Sequence, residues 1–293
     1  FIDVLVQSGK KHIYGLEVGT KTELFAALSY DLHPEALFIC NGFKDSQFIE
    51  LAFDAKKMGK NVVLVIEGTD ELKFIINHAK KVGFCVDIGL RAKLYAKGSG
   101  MWEKSGGIGS KFGLNSVEMM EALYLLEEAG LKDQLAMIHY HIGSQIEKLS
   151  DVLGPIKYAL DVYFKVKEKN PSLDTIDIGG GMPIPYTRNR SYPIEKLMER
   201  IFTLVKKESE KRGMPHPNLI CEWGRYIVAP AQITIFKIID TKKIANKKAD
   251  AKKWYVIDGS FMNDLLDTWA IGQKWSVIPL NNKNDDNLED VWL

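Results

Sequence analysis

Seven apolar, β-rich runs recur along this chain, at residues 13–19, 37–42, 61–68, 85–91, 136–143, 175–181 and 218–224. Helix-like stretches lie between them, at 21–30, 45–59, 70–82, 116–129, 151–169 and 193–212. Nearly continuous apolar strands that alternate with helices indicate a parallel sheet covered on both faces. Asn115-Ser116 with Glu118, and Ser150-Asp151, read as helix starts; Gly59, Gly83, Gly130 and Gly213 read as stops. Most of the strands end in Gly or a charged residue, as the catalytic rim of an α/β barrel does. A closed barrel of this class has eight strands, so the first strand is expected upstream of this chain, ahead of the helix-like residues 1–8. After Arg225 the alternation changes. Residues 231–239, 253–259 and 274–279 read as strands without long helices between them. The expected organisation is a barrel domain over 1–225 and the start of a β-rich domain over 226–293.

Composition narrows the functional classes. The net charge of +1 argues against nucleic acid as a partner. No apolar run reaches the length of a membrane span, and no signal-peptide pattern opens the chain, so a cytoplasmic protein is expected. Cys40, Cys85 and Cys221 are widely spaced, without the pattern of a zinc or redox site, and read as reduced thiols.

Two strand ends stand out. Asp177-Ile178-Gly179-Gly180-Gly181 leaves a run of backbone N–H groups with no side chains in front of them, a nest that suits a phosphate. A tight turn before Pro183 is the plainer alternative. About forty residues later comes Cys221-Glu222-Trp223-Gly224-Arg225, also where a strand gives way to a loop. His139 and His141 point to the same face of their strand. That spacing also occurs at metal sites, but no acidic cluster is evident in the sequence to complete one.

Taken with His141-Ile142-Gly143-Ser144-Gln145, these motifs resemble those of the fold type III, alanine-racemase-like pyridoxal-phosphate decarboxylases. The resemblance sharpens to the biosynthetic arginine decarboxylase branch. It does so through Gly15-Leu16-Glu17-Val18-Gly19-Thr20-Lys21, Cys40-Asn41-Gly42-Phe43-Lys44-Asp45 and Arg91-Ala92-Lys93-Leu94. It continues through Gly98-Ser99-Gly100-Met101-Trp102, Ser105-Gly106-Gly107, Ser110-Lys111-Phe112-Gly113-Leu114 and Asp267-Thr268-Trp269-Ala270-Ile271. The family's Schiff-base lysine, on its first barrel strand, has no counterpart here. Its substrate-binding Cys-Asp motif is expected just beyond Leu293, and its helical insertion is missing or reduced near 242–253. The chain therefore reads as the middle of a decarboxylase and is expected to be inactive alone.

The resemblance implies an α/β barrel of TIM type that binds pyridoxal 5′-phosphate, followed by part of a β-rich domain. It implies decarboxylation of L-arginine to agmatine for polyamine synthesis. The alternatives are another basic amino acid (diaminopimelate, ornithine or lysine), a non-catalytic regulatory relative, and a metal-dependent hydrolase using His139 and His141. By the same resemblance Glu222 faces the cofactor's ring nitrogen and His141 stacks on the ring. Ser144, Gly179, Gly180, Gly181, Gly224 and Arg225 lie at the phosphate side, with Arg91 and Glu17 near the cofactor. Each has a plainer reading: a salt bridge for Glu222 and Arg225, a core histidine for His141, a cap for Ser144, rim charges for Arg91 and Glu17. Asp267 is placed at the distal cation of the substrate, where a carboxylate matches a guanidinium with two hydrogen bonds. Lys111 is placed at the dimer contact of a homodimer or higher homo-oligomer, and Mg2+ accompanies the family with no ligands identifiable here. Lys242-Lys243 and Lys247-Lys248 read as solvated loop charges.

Overall fold

The computed structural model describes residues 1–94, 111–186, 192–246, 248–270, 272–281 and 291–292. The motif residues between Gly98 and Ser110, together with Lys247 and Ile271, lie outside the described residues. Contacts divide the chain into two compact units, Phe1–Pro183 with Pro193–Arg225, and Ile184–Tyr192 with Tyr226–Leu293.

In the first unit, helix α1 (Ile2–Gly9) precedes an alternating series. It runs β1 (Leu16–Val18), α2 (Lys21–Leu28), β2 (Leu37–Cys40), α3 (Ser46–Lys57), β3 (Asn61–Ile66), α4 (Thr69–Val82), β4 (Asp87–Arg91) and α5 (Ser116–Glu128). It continues through β5 (Leu135–His139), α6 (Leu149–Lys167), β6 (Thr175–Asp177), α7 (Ile194–Arg212) and β7 (Asn218–Ile220), and the unit's last residues, Gly224 and Arg225, open α8 (Gly224–Val228). All seven strands are parallel and pair in chain order, β1 through β7, as the alternation predicts for a barrel sheet. Among the described residues β1 and β7 each have one strand neighbour.

Local chemistry explains the boundaries. Thr20 and Asp45 cap α2 and α3 with their side chains, and Asn115 with Glu118 closes a full capping box on α5. Gly83 and Gly213 end α4 and α7 in the left-handed region. The start of α6 differs from expectation. Its N-cap is Lys148, and Ser150 lies inside the first turn because its hydroxyl bonds the Asp151 carboxyl instead of a backbone N–H.

The strands are apolar throughout because both faces are buried. Ile39, Val63, Val65 and Met137 form one cluster inside the sheet, with Leu37 and Ile220 against it. The residues of opposite parity, among them Phe38, Leu64, Ile66, Ile88, Ile138 and Ile176, are equally buried on the helical side.

In the second unit, β8 (Ile238–Lys243) pairs antiparallel with β9 (Lys253–Ile257), and β10 (Val291–Trp292) pairs parallel with β9. Two short helices, α9 (Phe261–Asp264) and α10 (Asp267–Ala270), follow β9. The strand expected over 231–239 is displaced toward the C-terminus, because pairing with β9 defines β8. Lys242 and Lys243 are exposed as expected but belong to β8, not to a loop. Residues 274–279 are not a strand. Side-chain bonds hold them instead, from the Trp275 indole to Thr268 at 2.9 Å and from Ser276 to the Tyr186 carbonyl. No helix among the described residues is long and apolar enough to cross a membrane.

Candidate active site

Along the inward face of the sheet, residues change from apolar to polar at the C-terminal strand ends. Strand periodicity carries Ile39 on to Asn41, Val65 to Glu67, Met137 to His139 and His141, Thr175 to Asp177, and Ile220 to Glu222. Glu17 pairs in register with Ile39 and joins the same face. The fold thus gathers at one rim residues that span more than two hundred positions of sequence.

Glu222 is the hub. Its Oε1 accepts from Asn41 Nδ2 at 2.7 Å, and the same amide donates to Glu17 Oε1 at 2.9 Å. Its Oε2 lies 3.2 Å from His139 Nε2, and the Asp177 carboxyl lies within 4.8 Å. Burial alone would raise the Glu222 carboxyl. His139, Asn41 and Asp177 outweigh burial and bring it down to about 2, so it stays an anion. Asp177 moves the other way, well above the usual carboxylate range, through complete burial and the Glu222 charge. Glu17 is raised to about 7 by desolvation first and the Glu222 charge second. Neighbouring carboxyls whose protonation is pushed apart are the mark of acid–base machinery. The expectation that no acidic cluster accompanies the His-x-His pair is therefore corrected. His139, Asp177 and Glu222 each bring a polar atom within 4.8 Å of the others, because β5, β6 and β7 are adjacent although their residues are far apart in sequence.

His141 accepts the Gly180 N–H at Nδ1, 3.1 Å away, which leaves the proton of the neutral ring on Nε2. Desolvation, then the Arg91 and His139 charges, lower His141 to about 4. The unfolded chain, with an ordinary histidine near 6.5, binds this proton more readily than the folded one. The stabilising contribution is therefore complete above about pH 6.5 and is lost as pH falls toward 4. In an NMR titration, His141 should remain neutral down to about pH 5. A His141 midpoint near 6.5 would contradict this environment.

The glycine triplet has a steric reason as well. Gly179 sits at φ +62°, and a Cβ there would lie 2.3 Å from the Tyr140 carbonyl oxygen. At Gly180 a Cβ would meet His141 Cε1 at 3.0 Å and the Glu222 carbonyl at 3.1 Å. The sequence suggests three free N–H groups, but two are engaged within the protein. Gly179 N–H donates to Asp177 Oδ1 at 2.8 Å, and Gly180 N–H donates to His141. Among the described residues the Gly181 N–H takes no part in these bonds. The Gly181 carbonyl accepts Ile146 N–H at 3.0 Å, which ties the loop carrying Ser144 to the triplet. After β7, the Gly224 N–H bonds the Glu222 carbonyl at 3.0 Å, and Arg225 follows in the first turn of α8.

Arg91 forms an ion pair with buried Glu67 and lies over the Phe112 ring at 5.0 Å. Glu67 Oε2 also accepts the Gly113 N–H at 2.9 Å. Below it, the buried pair Lys44–Glu71, 2.9 Å apart, holds the Glu67 backbone N–H through Glu71 Oε2. Lys111 is exposed, with its ammonium 5.0 Å from the Phe112 ring. Asp267 belongs to the second unit, where it opens α10. Burial raises the Cys221 and Cys40 thiols to about 12, so neither is an activated nucleophile.

Sequence reasoning assigned no role to Asn41, Glu67 or Asp177. The signal that finds them is the period of two: each lies two residues beyond an inward residue of its strand.

A parallel sheet with such a charged rim defines a class, the α/β barrels that work at the C-terminal ends of their strands. Residues 1–229 match the family described as "Pyridoxal-dependent decarboxylase, pyridoxal binding domain", and the chain belongs to that family. The motif resemblance is thereby borne out. A biosynthetic arginine decarboxylase of Bacteroides thetaiotaomicron is 40% identical over 82% of this chain and 39% of its own length. One of Phocaeicola vulgatus is 35% identical over 99% of this chain and 46% of its own. Among solved structures, the biosynthetic arginine decarboxylase of Campylobacter jejuni superposes with a TM-score of 0.82. It is 25% identical, and the match covers 99% of this chain and 61% of that one. The chain thus spans less than half the length of these two curated relatives.

Proposed function

We propose that the full-length protein is a pyridoxal-phosphate-dependent decarboxylase that converts L-arginine to agmatine and carbon dioxide, in the service of polyamine synthesis. The observation that carries this reading is the half-buried Glu222 carboxylate, held as an anion at the rim of a pyridoxal-family barrel. The likeness to relatives named arginine decarboxylases supports the substrate.

The residues present fit such a cofactor. The backbone at Gly180 and Gly181 carries no side chain, and a Cβ there would press on His141 and Glu222 or on Ile142 and Ile146. A carboxylate has about four acceptor positions. Asn41 and His139 occupy part of that capacity, which leaves Glu222 able to receive a protonated ring nitrogen. When bound, the cofactor supplies an electron sink for the charge left at Cα as carbon dioxide departs. Glu222 holds the ring nitrogen in its protonated form. Neutral His141 presents a flat, uncharged face. The Gly181 N–H, Ser144, Gly224 and Arg225 receive the phosphate, and Gly179 and Gly180 shape that loop. Arg91, fixed by Glu67, and Glu17, fixed by Asn41, set the charge of the recess. Asp267 receives the substrate's guanidinium. The same reading makes the protein a cytoplasmic homodimer or higher homo-oligomer with Lys111 near the contact and Mg2+ as an accessory ion.

The test is carbon dioxide release by full-length protein loaded with pyridoxal phosphate and offered arginine, ornithine, lysine and diaminopimelate separately. Arginine should be turned over fastest. Preference for another of the four overturns the substrate, and turnover of none overturns the activity.

A further inference from the structure

Asp177 has no part in the functional reading above, yet it is completely buried at the rim. Its Oδ1 accepts the Gly179 N–H at 2.8 Å. Its Oδ2 is buried and has no donor among the described residues. Its polar neighbours are the imidazole of His139, which reaches 3.2 Å from Glu222, and the Glu222 carboxylate itself. Two ionised carboxylates within 4.8 Å of each other, one with an oxygen that has no donor, repel each other and forfeit hydration. One proton removes both costs, because it turns the orphaned oxygen into a hydroxyl donor aimed at its neighbour.

We propose that Asp177 is a positioning residue: it keeps a proton on Oδ2, donates it in a hydrogen bond to Glu222, and through Oδ1 ties that carboxylate to the glycine loop. The inference rests on the reading of Glu222 as the carboxylate that faces the cofactor's ring nitrogen. No proton is transferred in this role. The proton belongs to Asp177, the negative charge belongs to Glu222, and the hydrogen bond keeps them so. The upward displacement of Asp177 and the downward displacement of Glu222 agree with that division. One side chain thereby couples the ring-nitrogen side of the site to the phosphate side. The Gly179 N–H is fixed by the same carboxyl that fixes Glu222.

The chemistry supplies a discriminating pair of variants. Asp177→Asn mimics the protonated acid, because its carbonyl can accept the Gly179 N–H and its amide can donate to Glu222. Asp177→Ala removes both bonds. In full-length protein without cofactor, the infrared difference between wild type and Asp177→Asn should contain the carbonyl stretch of a neutral carboxylic acid. Pyridoxal-phosphate affinity and kcat with arginine should stay within about threefold of wild type in Asp177→Asn, and fall on the order of tenfold in Asp177→Ala. Absence of a neutral-acid band overturns the proposal. So does an Asn variant that is as impaired as the Ala variant or fails to fold, since either result means that an anion is needed at this position. A wild-type protein that takes up no pyridoxal phosphate defeats the functional reading instead, and the infrared comparison still decides the protonation of Asp177.

Discussion

Glu222→Gln in the full-length protein should lower kcat by about 10²–10³-fold while KM stays close to that of wild type. The two side chains have nearly the same shape, so binding surfaces are preserved. What changes is the charge at the hub. Asn41 and His139 direct hydrogen bonds at a carboxylate, and they help hold it as an anion. An amide has one oxygen instead of two, and its NH2 group meets donors that were placed for an acceptor. The ring nitrogen loses the countercharge that favours its protonated form, and that form matters most when charge develops during decarboxylation. The effect therefore belongs to kcat. Steady-state kinetics with arginine decides it, and a variant with near-normal kcat removes Glu222 from this role.

Gly179→Ala should destabilise the protein by about 3 kcal/mol or more, and weaken pyridoxal-phosphate binding at the same time. The backbone at φ +62° is already unfavourable for alanine, and the new methyl would lie 2.3 Å from the Tyr140 carbonyl. A backbone oxygen cannot turn aside as a flexible side chain can. The strand ends must separate, and the bonds from Gly179 to Asp177 and from Gly180 to His141 go with them. Gly213→Ala is the control. It has the same φ of +62° at the end of α7 but nothing within 4 Å of the added Cβ, so about 1–2 kcal/mol is expected from conformation alone. Urea denaturation of both variants measures the difference. Equal losses would show that close approach of the strands does not require Gly179.

Much of the barrel was legible because its physics is local. Parallel strands buried on both faces must be apolar along their whole length, as 61–66 is, and helix ends must be capped, as at Asn115 and Gly83. Local rules failed where local preference did not decide. The Ser150 hydroxyl satisfied itself on Asp151 and left the cap to Lys148. In the second unit, apolar alternation suggested strands over 231–239 and 274–279. Backbone pairing instead begins at Ile238, and side-chain bonds from Trp275 and Ser276 hold the later segment.

The candidate site divides the same way. Motif residues such as Glu222, His141 and the glycine triplet were readable because together they resemble the motifs of a known family. From the sequence alone, then, follow the parallel α/β barrel, the membership of a pyridoxal decarboxylase family and the identities of the principal polar groups. Tertiary structure alone decided who bonds to whom. It joined Asn41 to Glu17 and Glu222, closed Glu67 onto Arg91 and Gly113, and spent two of the three glycine N–H groups inside the protein. It also set Asp177 against Glu222. Hydrogen bonding and protonation depend on distance and burial, and those are properties of strands that meet across a sheet, not of residues that follow one another along a chain.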